Sequence, residues 1–161
     1  MTDRKPRNGR LLAAMMLFLV AAPALADGPF RFYALTPCRV VDTKTGTPNP
    51  LVGNTTGTVR DFDIRGACGV PDEATAVALN ITVNVPSQKG HLRLYPSDLQ
   101  SPPTVSNINF AGGETALANG AIVPLADVAD ADDISVFTFM VTNGTSHLFL
   151  DVTGYFAPVA P

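Results

Sequence analysis

The side chains able to do chemistry are few, and their spacing decides what each group can be. Asp127, Asp130, Asp132 and Asp133 fall in one short stretch, where several carboxylate oxygens could gather around a hard cation such as calcium. The stretch lacks the mid-loop glycine and closing glutamate of an EF-hand loop. Calcium is therefore the weaker reading and a solvated acidic turn the stronger, so no metal or cofactor is expected. Asp61 and Asp63 alternate beside Arg60 and Arg65, a pattern that surface ion pairing explains. Serine, histidine and aspartate all occur, but no G-x-S-x-G elbow does. Glu73 and Glu114 are the only glutamates, and both adjoin turn residues rather than facing each other as a glycosidase pair must. No residue earns a catalytic role, and the chain reads as not an enzyme.

Asparagine is the less ordinary signal. Asn80, Asn84, Asn107, Asn109 and Asn119 lie in or beside strand-like segments, where asparagine is normally depleted. One account is structural: amides that bond neighbouring backbone where a ladder is interrupted. The other is a sugar-binding face of Asn80, Asn84, Asn107, Asn109 and Tyr95, with Tyr155 as a second ring. Such faces usually carry an aromatic platform, and the chain has no tryptophan. The structural account is preferred.

The compartment narrows these readings. Arg4, Lys5, Arg7 and Arg10 precede an uncharged apolar run, Leu11 to Ala22, which ends at Pro23-Ala24-Leu25-Ala26. A basic start, a short apolar run and a small-x-small site predict a secretory signal peptide over 1–26, cleaved after Ala26. The run is shorter than the roughly 20 residues of a spanning helix, and no membrane span is expected after cleavage. Four of the 11 basic residues and one of the 14 acids leave with the signal, taking the net charge from −3 to −6. A nucleic-acid partner is disfavoured at that charge. In an oxidising compartment Cys38 and Cys68 read as a disulfide. A metal or redox pair is the alternative, without C-x-x-C spacing to support it. Secretion to the extracellular space, the cell surface or the periplasm is expected.

The elements that must position these residues are strands. Val77 to Val85 places large apolar residues at every odd position, the period of a strand with one buried face. Pro86 to Gly90 and then His91 to Tyr95 predict a hairpin partner. Val105 to Phe110 alternates as well. Phe30 to Leu35 predicts a first strand stopped by Pro37, and Arg39 to Asp42 a short second one. Thr43 to Gly57 reads as a long surface loop. Val59 to Ile64 and Leu117 to Leu125 are further strands, and Ile134 to Val141 is one covered on both faces. After the turn signal Asn143-Gly144, His147 to Phe156 completes a terminal hairpin. About nine strands and no helix predict an all-β, antiparallel β-sandwich, with the jelly roll as one form of it. The expected division is a signal peptide, a single domain over 27–156 and a flexible tail over 157–161.

Phe32-Tyr33-Ala34-Leu35-Thr36-Pro37-Cys38-Arg39-Val40-Val41-Asp42-Thr43, Ile64-Arg65-Gly66-Ala67-Cys68-Gly69-Val70-Pro71 and Asp151-Val152-Thr153-Gly154-Tyr155-Phe156 together resemble a β-domain family of exported bacterial proteins. That family occurs singly, in tandem or attached to secreted hydrolases. Ala78 to Thr82, Gly90 to Pro96 and Ser106 to Phe110 extend the likeness over nearly all of the processed chain. The resemblance implies an extracellular β domain with a Cys38–Cys68 pair, and no activity is established for the family. Lys44 stands where the pattern leads one to expect arginine. The expected function is a non-catalytic structural or interaction domain at the bacterial cell surface. Its partners would be further copies of itself or other surface proteins, with Asp27 to Leu35 as a strand donor. The alternative is a carbohydrate-binding module for envelope or extracellular polysaccharide.

Overall fold

The computed structural model describes residues 29–45, 49–130 and 132–159. The signal-peptide reading of 1–26 and the last two residues of the expected tail lie outside the described residues. Among the described residues nine strands run in order: β1 (Phe30–Asp42), β2 (Leu51–Gly53), β3 (Thr58–Phe62), β4 (Ala76–Asn84), β5 (Gly90–Pro96), β6 (Ile108–Phe110), β7 (Ala116–Pro124), β8 (Ile134–Met140) and β9 (Gly144–Pro158). They form two antiparallel sheets. A five-stranded sheet has the order β1-β9-β4-β7, with β2 also on β9, and a four-stranded sheet has the order β3-β8-β5-β6. With short β2 set aside, this is the jelly-roll order of two interleaved Greek keys. Among the described residues no helix is long and apolar enough to cross a membrane.

Alternation in sequence becomes alternation in burial. Val77, Leu79, Ile81 and Val83 of β4 point inward and are fully or nearly fully buried, while the residues between them are half-buried. They meet Leu92, Leu94, Ile134, Val136 and Met140 of the facing sheet in one core, with Leu148, Leu150 and Val152 of β9 alongside. The Cys38–Cys68 disulfide forms, with Cα atoms 5.7 Å apart. It ties β1 to the tight turn after β3, where the Gly66 N–H donates to the Val70 carbonyl at 2.9 Å.

Several local expectations are corrected. Pro37 does not stop a strand, because β1 runs through it. It is an edge strand, so a missing N–H costs no ladder bond, and register shifts flank Cys38 and Arg39. Neither expected hairpin forms: β4 and β5 belong to different sheets, as do β8 and β9. Only β5 and β6 are neighbours both in sequence and in a sheet. Alternation reports which side of a strand is buried, not which strand lies beside it. The two crossing loops hold each other, Ser87 N–H donating to the Thr145 carbonyl (2.8 Å) and Val141 N–H to the Lys89 carbonyl (3.0 Å). The loop over 43–57 contains β2, whose Leu51 is buried in the core. At the other end β9 extends through Pro158, opposite Phe30, with Ala157 buried. That part of the expected tail is therefore strand.

Candidate binding faces

The outer face of the four-stranded sheet is built in cross-strand rows: Asp61–Ser135–Tyr95, Val59–Phe137–Arg93, and Phe139–His91–Asn109. The His91 ring stacks on Phe139 with centroids 5.0 Å apart, and the Arg93 guanidinium lies 4.9 Å over the Phe137 ring. Arg93 is aimed by two bonds, from Nε to His91 Nε2 (3.1 Å) and from Nη1 to the Pro103 carbonyl (2.9 Å). Burial, and then the Arg93 charge, push the His91 pKa below the ordinary histidine value. The neutral ring can therefore accept from Arg93. In the next row Ser135 Oγ donates to Asp61 Oδ1 at 2.5 Å. Tyr95 is only 5% exposed, and burial holds its phenol above the usual value, with the Asp61 charge adding to that. Gly57 lies so close under Phe137 that a Cβ there would come within 2.0 Å of the ring. A hollow of about 440 Å³ opens beside the stack, lined by Lys89, His91, Asn109, Phe139 and Val141.

The outer face of the five-stranded sheet has two unlike ends. Its apolar end gathers Phe32, Phe156, Ala34, Ala76, Ala78 and Ile122. Phe32 and Phe156 lie 5.1 Å apart, and the Phe32 ring covers Gly154, where a Cβ would come within 2.3 Å of it. Phe30, Phe32 and Ile122 are 42%, 46% and 63% exposed, around a hollow of about 470 Å³ lined by Phe30, Thr75, Ala76, Ile122 and Phe156. The polar end is held by a two-bond pair, Arg39 Nε to Asp151 Oδ1 (2.8 Å) and Nη2 to Oδ2 (3.1 Å). Arg39 also lies 4.4 Å over the Phe149 ring.

The structure divides the asparagines instead of collecting them. Asn80 and Asn84 sit on β4, on the outer face of the five-stranded sheet, while Asn109 and Tyr95 belong to the opposite face of the sandwich. Asn107 is structural: its Oδ1 accepts the Leu94 N–H at 2.6 Å, and its carbonyl accepts from Asn119 Nδ2 at 2.7 Å. Asn84 Nδ2 donates to the Thr115 carbonyl at 2.5 Å, although its Oδ1 is buried without a partner. Asn80 makes one long contact, 3.4 Å to Thr82 Oγ1. The amide-network account thus suits Asn107 and Asn119 and does not extend to Asn80. Tyr155 turns toward the core and stacks on Tyr33 at 5.0 Å.

The acidic stretch does not converge either. Asp133 faces inward, its Oδ2 accepting the N–H groups of Ile64 (2.7 Å) and Arg65 (2.6 Å), while Oδ1 pairs with Arg65 Nη1. The same guanidinium donates to the carbonyls of Ala74 and Ala126. One buried ion pair thus clasps the chain after β3, before β4, after β7 and before β8. Asp127 bonds its own loop, with Oδ1 accepting the Ala129 N–H at 3.1 Å. Burial, then the charges of Asp63, Asp61 and Asp133, raise the Asp132 pKa. Among the described residues no group of three or more His, Cys, Asp or Glu is placed to hold a metal ion.

The Asp-Thr-Lys segment has a local explanation. Asp42 Oδ1 accepts the N–H groups of Lys44 (2.8 Å) and Thr45 (2.9 Å), and the bond from the Thr45 hydroxyl, followed by these backbone bonds, holds the Asp42 pKa below its usual value. Buried Thr43 accepts the Leu148 N–H at 2.8 Å through its hydroxyl. Lys44 is exposed in this turn, and its backbone N–H carries the bond to Asp42.

The rows on the four-stranded sheet were out of reach of sequence reasoning. Phe137, Phe139, His91 and Arg93 each show period two, but nothing in that period says that β5 lies beside β8. No protein-family model matches the chain, and no curated protein matches it in sequence.

Proposed function

We propose that the chain is a secreted, non-catalytic structural and interaction domain of the bacterial cell surface. The observation that carries this reading is the apolar end of the five-stranded sheet. Phe30 and Ile122, both more than 40% exposed, border one hollow, with the equally exposed Phe32 packed on Phe156 beside it, on a face held by the β1–β9, β9–β4 and β4–β7 ladders. Contiguous exposed apolar surface on a soluble domain usually marks an interaction site. The resemblance to exported bacterial β domains points the same way. The test is fractionation of the exported protein from a bacterial host. Native protein should stay with the cells and a Phe30→Ser, Phe32→Ser variant should move to the medium. Equal release of two equally folded proteins would defeat the reading.

A second reading, a carbohydrate-binding module for envelope or extracellular polysaccharide, is favoured by one feature. The His91–Phe139 stack offers a flat surface to a sugar ring, with the Asn109 amide and Lys89 ammonium beside the hollow for its hydroxyls. Retention on insoluble polysaccharide that disappears in Phe139→Ala would support it. No retention of the native protein on any envelope polysaccharide would remove it.

A further inference from the structure

We propose that two copies of this chain join through β7, antiparallel and edge to edge across a two-fold axis, so that their five-stranded sheets become one. This rests on the interaction-domain reading and names its partner as a second copy. Among the described residues β7 pairs with β4 on one side and with no strand on the other. Among the described residues no backbone bond outside the ladders begins or ends within it. Its free side therefore presents alternating unpaired N–H and C=O groups, which only another extended strand satisfies in series.

The other three edges are guarded in the usual ways. β1 carries Arg31, Pro37 and Arg39 and two register breaks. β3 has five residues including Arg60 and Asp61, and β6 has three. β7 has nine residues, Ala-Leu-Ala-Asn-Gly-Ala-Ile-Val-Pro, with no charge and no proline before its last position. The expected strand donor, Asp27 to Leu35, is not free for this role from Phe30 onward, because that part is already paired with β9.

A second copy fits better than an unlike strand for two reasons. An antiparallel edge is self-complementary about a two-fold, each copy giving and receiving the same bonds, and the contact closes at two. An uncharged strand meeting itself also sets no like charges opposite one another. The outward row is Ala116, Ala118, Gly120 and Ile122, all exposed, of which only Ile122 is large. Asn119 is already bonded to Asn107 and needs no partner.

The test is sedimentation equilibrium across a concentration series, on protein purified from a host that exports it. The native protein should be a dimer, and amide exchange along β7 should slow as the dimer forms. Ala118→Lys and Gly120→Lys should each weaken it at least tenfold. A Cβ at Gly120 meets nothing nearer than 4.0 Å, so the lysine variants should keep the native melting temperature at low concentration. A native monomer at the highest concentration, or a dimer that survives both lysines, overturns the proposal. A dimer that survives both lysines yet dissociates with Phe32→Ser overturns the β7 pairing while leaving the interaction-domain reading in place. Release from cells in the fractionation above defeats that reading separately.

Discussion

The two edges of the five-stranded sheet, β1 and β7, are built to opposite rules. β1 is long and charged, carries Pro37 and two register shifts, and is fastened by more than its ladder. The Cys38–Cys68 bridge, the Arg39–Asp151 pair and the Asp42 turn all act on it. β7 is uncharged and pairs with β4 alone among the described strands, with one further bond, from Asn119 to the Asn107 carbonyl. An edge hardened against pairing and an edge left open, in one sheet, teach that the open one is not a default of the fold. The first kind is what a strand needs to stay solitary, and the second leaves a template that another strand can extend.

The comparison is broken most severely at β4, which carries β7 on one side and β9 on the other. Ile81→Ala, at a fully buried position, should cost about 2–5 kcal/mol by urea denaturation. Thr82→Ala, on the outer face, should cost well under ~1 kcal/mol; equal costs would mean that the inner and outer faces are misassigned. Reducing the disulfide should cost about 3.5 kcal/mol on the chain-entropy account. Amide exchange should then speed along β1 by more than the loss of global stability accounts for, and at the β7 amides bonded to β4 by that loss alone; equal acceleration would deny that the bridge serves one edge.

Smaller effects sharpen the contrast. Asn107→Ala strands the Leu94 N–H and should cost about 1–3 kcal/mol, whereas Asn80→Ala, losing one long contact, should cost about 0.5 kcal/mol or less. A thermal scan of both variants that finds the reverse order would restore the amide network at Asn80. Of the two edges, only β1 should carry a pH response of its own. The Asp42 pKa is lower folded than unfolded, so its contribution is present above the ordinary aspartate value and is lost as pH falls through the folded one. Asp42→Asn should flatten the acid limb of β1 amide exchange. β7 has no titratable side chain, and its β4-bonded amides should follow only global unfolding.

What the sequence made legible was local. Strand identity and the inner face of β4 follow from Leu79, Ile81 and Val83 recurring every second residue, and the disulfide from two cysteines behind a segment that reads as a secretory signal. Neighbour relations were not legible. The turn residues after Asn84 and Asn143 suit a hairpin equally well, and the crossing between sheets is decided by cores that meet only after folding. Asp133 was misfiled for the same reason. Its partner, Arg65, is 68 residues away, so nothing beside it distinguishes a buried clasp from the solvated acids around it. The two faces suffered likewise, since Asn80 and Asn109 look alike in sequence and lie on opposite sides of the molecule.

The position of β9 has a consequence for the timing of assembly. The last of the described strands, β9, lies in the interior of its sheet, between β1 and β4, so β1 has no ladder until residues 144–158 arrive. A chain made or exported from its N-terminus must carry β1 and the half-built sheet unpaired until then, and such long-range closure is the slow part of β folding. Cys38 and Cys68 are both available much earlier. The bridge can thus tether β1 to the turn after β3 and shorten the search that ends when β9 slides between its two neighbours.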